Sequence, residues 1–93
     1  MTRHNLKLND RYFEAVVTGK KTFEIRKNDR DYHVGDILDL RRVDDNGKIM
    51  LNKIGMEDIC IRVVDYIITD REFPQGLKEG YAILGIKPVG VGD

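Results

Sequence analysis

The chain has 93 residues, 41% apolar and 34% charged, and its sixteen basic residues balance sixteen acidic ones. That length supports one core, and the composition excludes a disordered chain. A net charge of zero excludes wrapping of duplex DNA by bulk charge alone.

His4–Leu8 reads as a short strand with Leu6 and Leu8 on one face. Asn9 or Asp10 can cap the next element, because either side chain accepts from a free first-turn amide. Phe13, Val16 and Val17 recur at helical spacing, and Gly19 ends a helix of two to three turns where a left-handed residue is wanted. From Lys21 the period becomes two. Phe23 and Ile25 are expected to anchor one face in the core, leaving Thr22, Glu24 and Arg26 on the other. Asn28–Asp31 and Gly35-Asp36 read as two turns before a strand at Ile37–Val43, with Leu38 and Leu40 buried. Asp45-Asn46-Gly47 signals a hairpin.

Asp58–Thr69 carries the longest strand pattern, and its apolar parity changes partway. Ile59, Ile61 and Val63 share one phase, Val64, Tyr66 and Ile68 the other, as a β-bulge produces. Pro74 and Gly76 mark a loop, and Tyr81–Lys87 is a last strand ended by Pro88. The expected fold is α+β but mainly β: a small, mostly antiparallel barrel with one short helix after the first strand. Residues 1–88 form the domain and 89–93 a flexible tail.

Cys60 is the one cysteine, which excludes an internal disulfide or Cys-cluster zinc site and fits a reducing, cytoplasmic setting. It alternates with Ile59 and Ile61 as a packed strand residue. His4 and His33 lack ligand spacing, so no metal and no other cofactor is expected. With no serine in the chain, a serine nucleophile is excluded. No apolar run approaches the roughly 20 residues a bilayer crossing needs, so no membrane partner is expected.

The run that carries chemistry is Gly19–Asp36. Within it, Gly19-x-Lys21-x-x-Glu24-x-Arg26 places Glu24 and Arg26 on one strand face, with Lys21 at the exit from the helix. A carboxylate beside a guanidinium offers an acceptor and a planar fork of donors, suited to a nucleobase edge or a phosphate; it also describes an ordinary exposed ion pair. Residues 1–33 hold eight Lys/Arg and five Asp/Glu, whereas residues 34–93 hold eight and eleven. A basic patch is therefore expected in the first third. Arg26, Lys27 and Arg30 form a second candidate surface, where Asn28 or Asp29 reads a base edge or satisfies local turn amides. Tyr12 and Tyr32 are the freer aromatics there, Phe13 belongs to the core, and Tyr66 and Phe73 offer further stacking faces.

This segment resembles the signature of the ASCH superfamily, whose domains resemble the PUA barrel and carry a G-x-K-x-x-E-x-R motif. The likeness is nearest to an ASCH-like family of small bacterial and phage proteins without assigned function. It extends over His4-x-Leu6-Lys7, Tyr12–Val16, Lys20–Asp36, Gly76–Tyr81 and Leu84–Ile86, most of the chain. It implies a PUA-like barrel in which Lys21, Glu24 and Arg26 line a cleft that holds RNA or a nucleotide, with His4 at its border.

A related branch is similar to amidohydrolases acting on acetylated cytidine, in which the motif lysine works with a threonine three residues later. Glu24 stands at that threonine position, and Thr22 lies one step away on the same face. Lys21 and Glu24 are the catalytic candidates of that reading. Three functions are thus in view: a module binding single-stranded RNA, a nucleotide or a nucleoside; a nucleoside amidohydrolase; and an adaptor whose cleft holds a protein segment.

Overall fold

The computed structural model describes residues 1–90. Strand β1 (Arg3–Asn9) leads into helix α1 (Asp10–Val17), followed by β2 (Phe23–Lys27), β3 (Ile37–Val43), β4 (Ile59–Thr69) and β5 (Tyr81–Pro88). The strands form one sheet in the order β1-β3-β4-β5-β2, curled into a half-barrel. β1 pairs with β3 in parallel, and the other three pairings are antiparallel. β1 and β2 are the two free edges. The expected mainly-β chain with one early helix is what forms.

Each element follows local chemistry. The Asn9 side chain accepts from the Arg11 amide at 3.0 Å and caps α1. Gly19, at φ +81°, turns the chain so that the Lys21 amide reaches back to the Ala15 carbonyl at 2.8 Å. At the far end of α1, Arg62 donates to the Val16 carbonyl at 3.0 Å, supplying the cation that the last turn lacks. Leu6, Leu8, Phe13, Val16, Leu38, Leu40, Cys60, Val64, Ala82, Leu84 and Ile86 pack together as the core.

The phase change in β4 is a bulge. Val64 pairs with Ile86 but Tyr66 with Gly85, leaving Asp65 as the extra residue. The buried residues, however, are Cys60 and Val64, while Ile59, Ile61 and Tyr66 are exposed. Parity located the bulge and left the inward side open; β3 sets it, since Cys60, expected as a packed residue, faces the fully buried Leu40. The 44–48 segment makes the expected tight turn, with Gly47 at φ +79°, but its return arm forms only isolated bridges. Val17, expected in the core, is 48% exposed, since it lies about 100° around the helix from the fully buried Val16. Val89 and Gly90 form a turn after β5, and the rest of the expected tail lies outside the described residues.

Candidate functional site

β2 is inverted relative to expectation. Phe23 is 42% and Ile25 54% exposed, whereas Glu24 is only 3% exposed. The cause is again register: Glu24 pairs with Leu84 and Arg26 with Ala82, both fully buried, so the polar residues share the inner face of β5. An ionised carboxylate in that position needs partners, and the motif supplies two.

Lys21 Nζ lies 2.5 Å from Glu24 Oε1, and Arg26 Nε donates to Glu24 Oε2 at 2.9 Å. Lys21 also donates to the Phe23 carbonyl at 2.6 Å. Its ammonium sits 4.8 Å from the Phe23 ring centroid and 5.4 Å from that of Tyr12, within cation–π range. The two cationic heads converge on the central carboxylate.

Arg26 reaches further. Its Nη2 donates to the Lys7 carbonyl at 2.7 Å, linking free edge β2 to free edge β1 across the open seam of the half-barrel. A hollow of about 460 Å³ occupies this seam. β1 contributes Lys7, Leu8 and Asn9, α1 contributes Tyr12, and Lys21 with Phe23, Glu24, Ile25 and Arg26 closes the other side. The volume falls within the range of small-ligand sites, and the wall combines aromatic faces with a fixed charged group. Thr22 is exposed and is not among the lining residues.

Beyond Arg26, a second hollow of about 330 Å³ brings Lys27, Asp29 and Arg30 together with Asn5 and Lys7; Asn28 is not part of its wall. Tyr32, expected to be free, also borders it but is 7% exposed and belongs to the core. Burial raises its phenol pKa.

His4 does not border the seam hollow. It is buried, its ring tilted 60° against that of Tyr32, with Nε2 2.8 Å from Asp36 Oδ2. Asp36 also accepts from the Thr2 and His33 amides at 3.1 and 2.9 Å. Burial works to raise the Asp36 pKa, but these hydrogen bonds outweigh it and hold the carboxyl at about 2. His4 is thus a structural residue that pins the start of β1 to the turn before β3. His33 is exposed, 4.0 Å from Asp31. Among the described residues, no three His, Cys, Asp or Glu are grouped to hold a metal ion. Cys60 is buried, which pushes its thiol pKa up. No described helix is long and apolar enough to cross a membrane.

Sequence reasoning missed Lys7, Leu8 and Asn9, along with the wall role of Phe23 and Ile25. Alternation in Leu6-Lys7-Leu8 does place Lys7 opposite the core, but nothing local says that β2 lies across from it.

With the seam and its charged group in place, comparison with known proteins assigns the chain to a family. Residues 3–86 match the domain of unknown function DUF3850, and the chain belongs to that family. It is 35% identical over 72 residues to the uncharacterized 12.9 kDa protein in the GpA 3′ region of Escherichia phage P2. That match takes in 73% of this chain and 66% of the phage protein, just under two thirds of the relative's length.

Proposed function

We propose that this chain is a PUA-like module of the ASCH kind that holds an unpaired RNA base or nucleotide in the seam hollow. One observation carries the reading: Lys21, Glu24 and Arg26 converge at the seam between β1 and β2, beside the rings of Tyr12 and Phe23. A base entering there finds an aromatic face to stack on and fixed polar groups for its edge. Glu24 still has lone pairs free to accept, since each oxygen takes one cation and a carboxylate offers about four acceptor sites.

The amidohydrolase alternative is less well supported. It needs a nucleophile or an activated water, and the one nearby threonine, Thr22, stands outside the hollow.

Titration of short, single-stranded, fluorescently labelled RNA at low salt tests the binding reading. Binding is expected to weaken as salt rises and to be lost in the Lys21→Ala/Arg26→Ala double variant. Tyr12→Ala and Phe23→Ala should each cost roughly 1–3 kcal/mol of affinity, the worth of one stacked base. Both rings are half-exposed, so thermal stability should change little. Undiminished binding in all these variants, or none by the native chain at low salt, would remove the proposal. Release of acetate from acetylated cytidine by the same preparation would instead favour hydrolysis.

A further inference from the structure

Arg26 and Lys7 line both hollows, so the two adjoin across one shared wall. Their chemistry differs. In the seam hollow, Lys21 and Arg26 are both committed to Glu24. The wall of the second hollow carries Lys7, Arg26, Lys27 and Arg30 against a single carboxylate, Asp29, with the Lys7 ammonium lying toward the 44–48 turn beside Gly47.

Four other arginines are matched to carboxylates, while Arg62 donates to backbone carbonyls and, among the described residues, the exposed Arg71 makes no ion pair. Arg3 pairs with Asp39 at 2.7 Å, Arg11 with Asp45 at 3.0 Å, Arg41 with Glu57 at 2.8 Å and Arg42 with Asp58 at 3.1 Å. Among the described residues, the side chains of Lys7, Lys27 and Arg30 make no ion pair. In a chain with no net charge, a cluster of unmatched cations around one concavity repels itself unless an anion is brought to it.

We propose that the second hollow is a phosphodiester subsite, so that the ligand is a single-stranded RNA segment of at least two nucleotides. The proposal rests on the seam-hollow reading above. One base stacks beside Tyr12 and Phe23, and the phosphate joining it to its neighbour crosses Arg26 to meet Lys27 and Arg30. Phosphate contacts of this kind position the strand, while the seam hollow reads the base. Lys27 and Arg30 have free donors for that phosphate, because no carboxylate holds them.

Calorimetric or fluorescence titration can compare a full set of ribonucleosides with the corresponding dinucleoside monophosphates and with their uncharged methylphosphonate analogues. The charged dinucleosides are expected to bind about tenfold or more tightly than the nucleosides, with that gain shrinking as added salt screens the one phosphate. Methylphosphonates should lose that gain. The Lys27→Ala/Arg30→Ala double variant should lose it too while leaving nucleoside affinity unchanged; both side chains are exposed, and a thermal melt confirms folding. If nucleosides bind but charged and neutral dinucleosides bind alike, the phosphate subsite is overturned and the seam reading stands. Absence of binding by every probe overturns both.

Discussion

Glu24 is a carboxylate on the inner face of a sheet, next to Leu84, and its ionised form is tolerable there because Lys21 and Arg26 each take one oxygen. Asp36 shows the same principle with different donors. One histidine and two backbone amides hold its carboxyl at about 2, against an ordinary value of 3.8. A depressed carboxylate pKa contributes stability that is present above the unfolded value and is lost as pH falls through the folded one. The shift corresponds to roughly 2 kcal/mol. Asp36→Asn should therefore lower stability by about that amount at neutral pH, and urea melts should show the gap from the native chain closing between about pH 4 and pH 2. A gap unchanged down to pH 2 would mean that the His4–Asp36 pair contributes nothing through charge. His4 itself was readable as a strand residue, but its partner, 32 positions away, was not.

Among the elements, β4 and β5 carry the clearest case of mutual dependence. The bulge at Asp65 brings Tyr66 against Gly85, and a Cβ placed on Gly85 would lie 2.6 Å from Asp65 Oδ1 and 3.3 Å from Tyr66 Cβ. The exposed Asp65 carboxylate can swing partly aside but the Tyr66 Cβ must shift, so Gly85 suits the close approach opposite the residue where the strand bends. Gly85→Ala should destabilise by about 1 kcal/mol, the low end of the cost of overpacking, with the shift read from a thermal melt. Asp65→Ala in the same background should recover part of the loss, and no recovery would assign the strain elsewhere. The bulge was legible from the parity change alone. Which face it buried was not, because strand alternation defines two faces and leaves the choice between them to the neighbour.

In the whole molecule, the sheet stops short of closure. β1 and β2 remain as edges, and the Arg26 guanidinium spans them, holding Glu24 on one strand and the Lys7 carbonyl on the other. Such an edge needs protection from stray pairing, and the charged group occupies it. Arg26→Ala should loosen the seam, with faster amide hydrogen exchange in Lys7–Asn9 and Phe23–Lys27 and an unchanged rate in central β4. The stability loss should be roughly 2 kcal/mol, since Glu24 keeps Lys21 but loses a charge-assisted bond. Uniform acceleration across the sheet would instead show that Arg26 supports the fold globally. Under the proposed function, seam closure and ligand access share one residue, so bound RNA should slow exchange at those same edges.

By itself the sequence determined the local features: the Asn9 cap, the Gly19 stop, the strand segments, the bulge and the short run that holds Lys21, Glu24 and Arg26 together. Each depends on backbone preferences and side-chain chemistry acting over a few residues. Only the tertiary structure decided that Glu24 faces inward while Phe23 and Ile25 face out, that Tyr32 and His4 are buried, and that Lys7 stands across a seam from Arg26. Those outcomes depend on strand register and on contacts between segments distant along the chain. A period of two is satisfied equally well by either face until a neighbouring strand selects one.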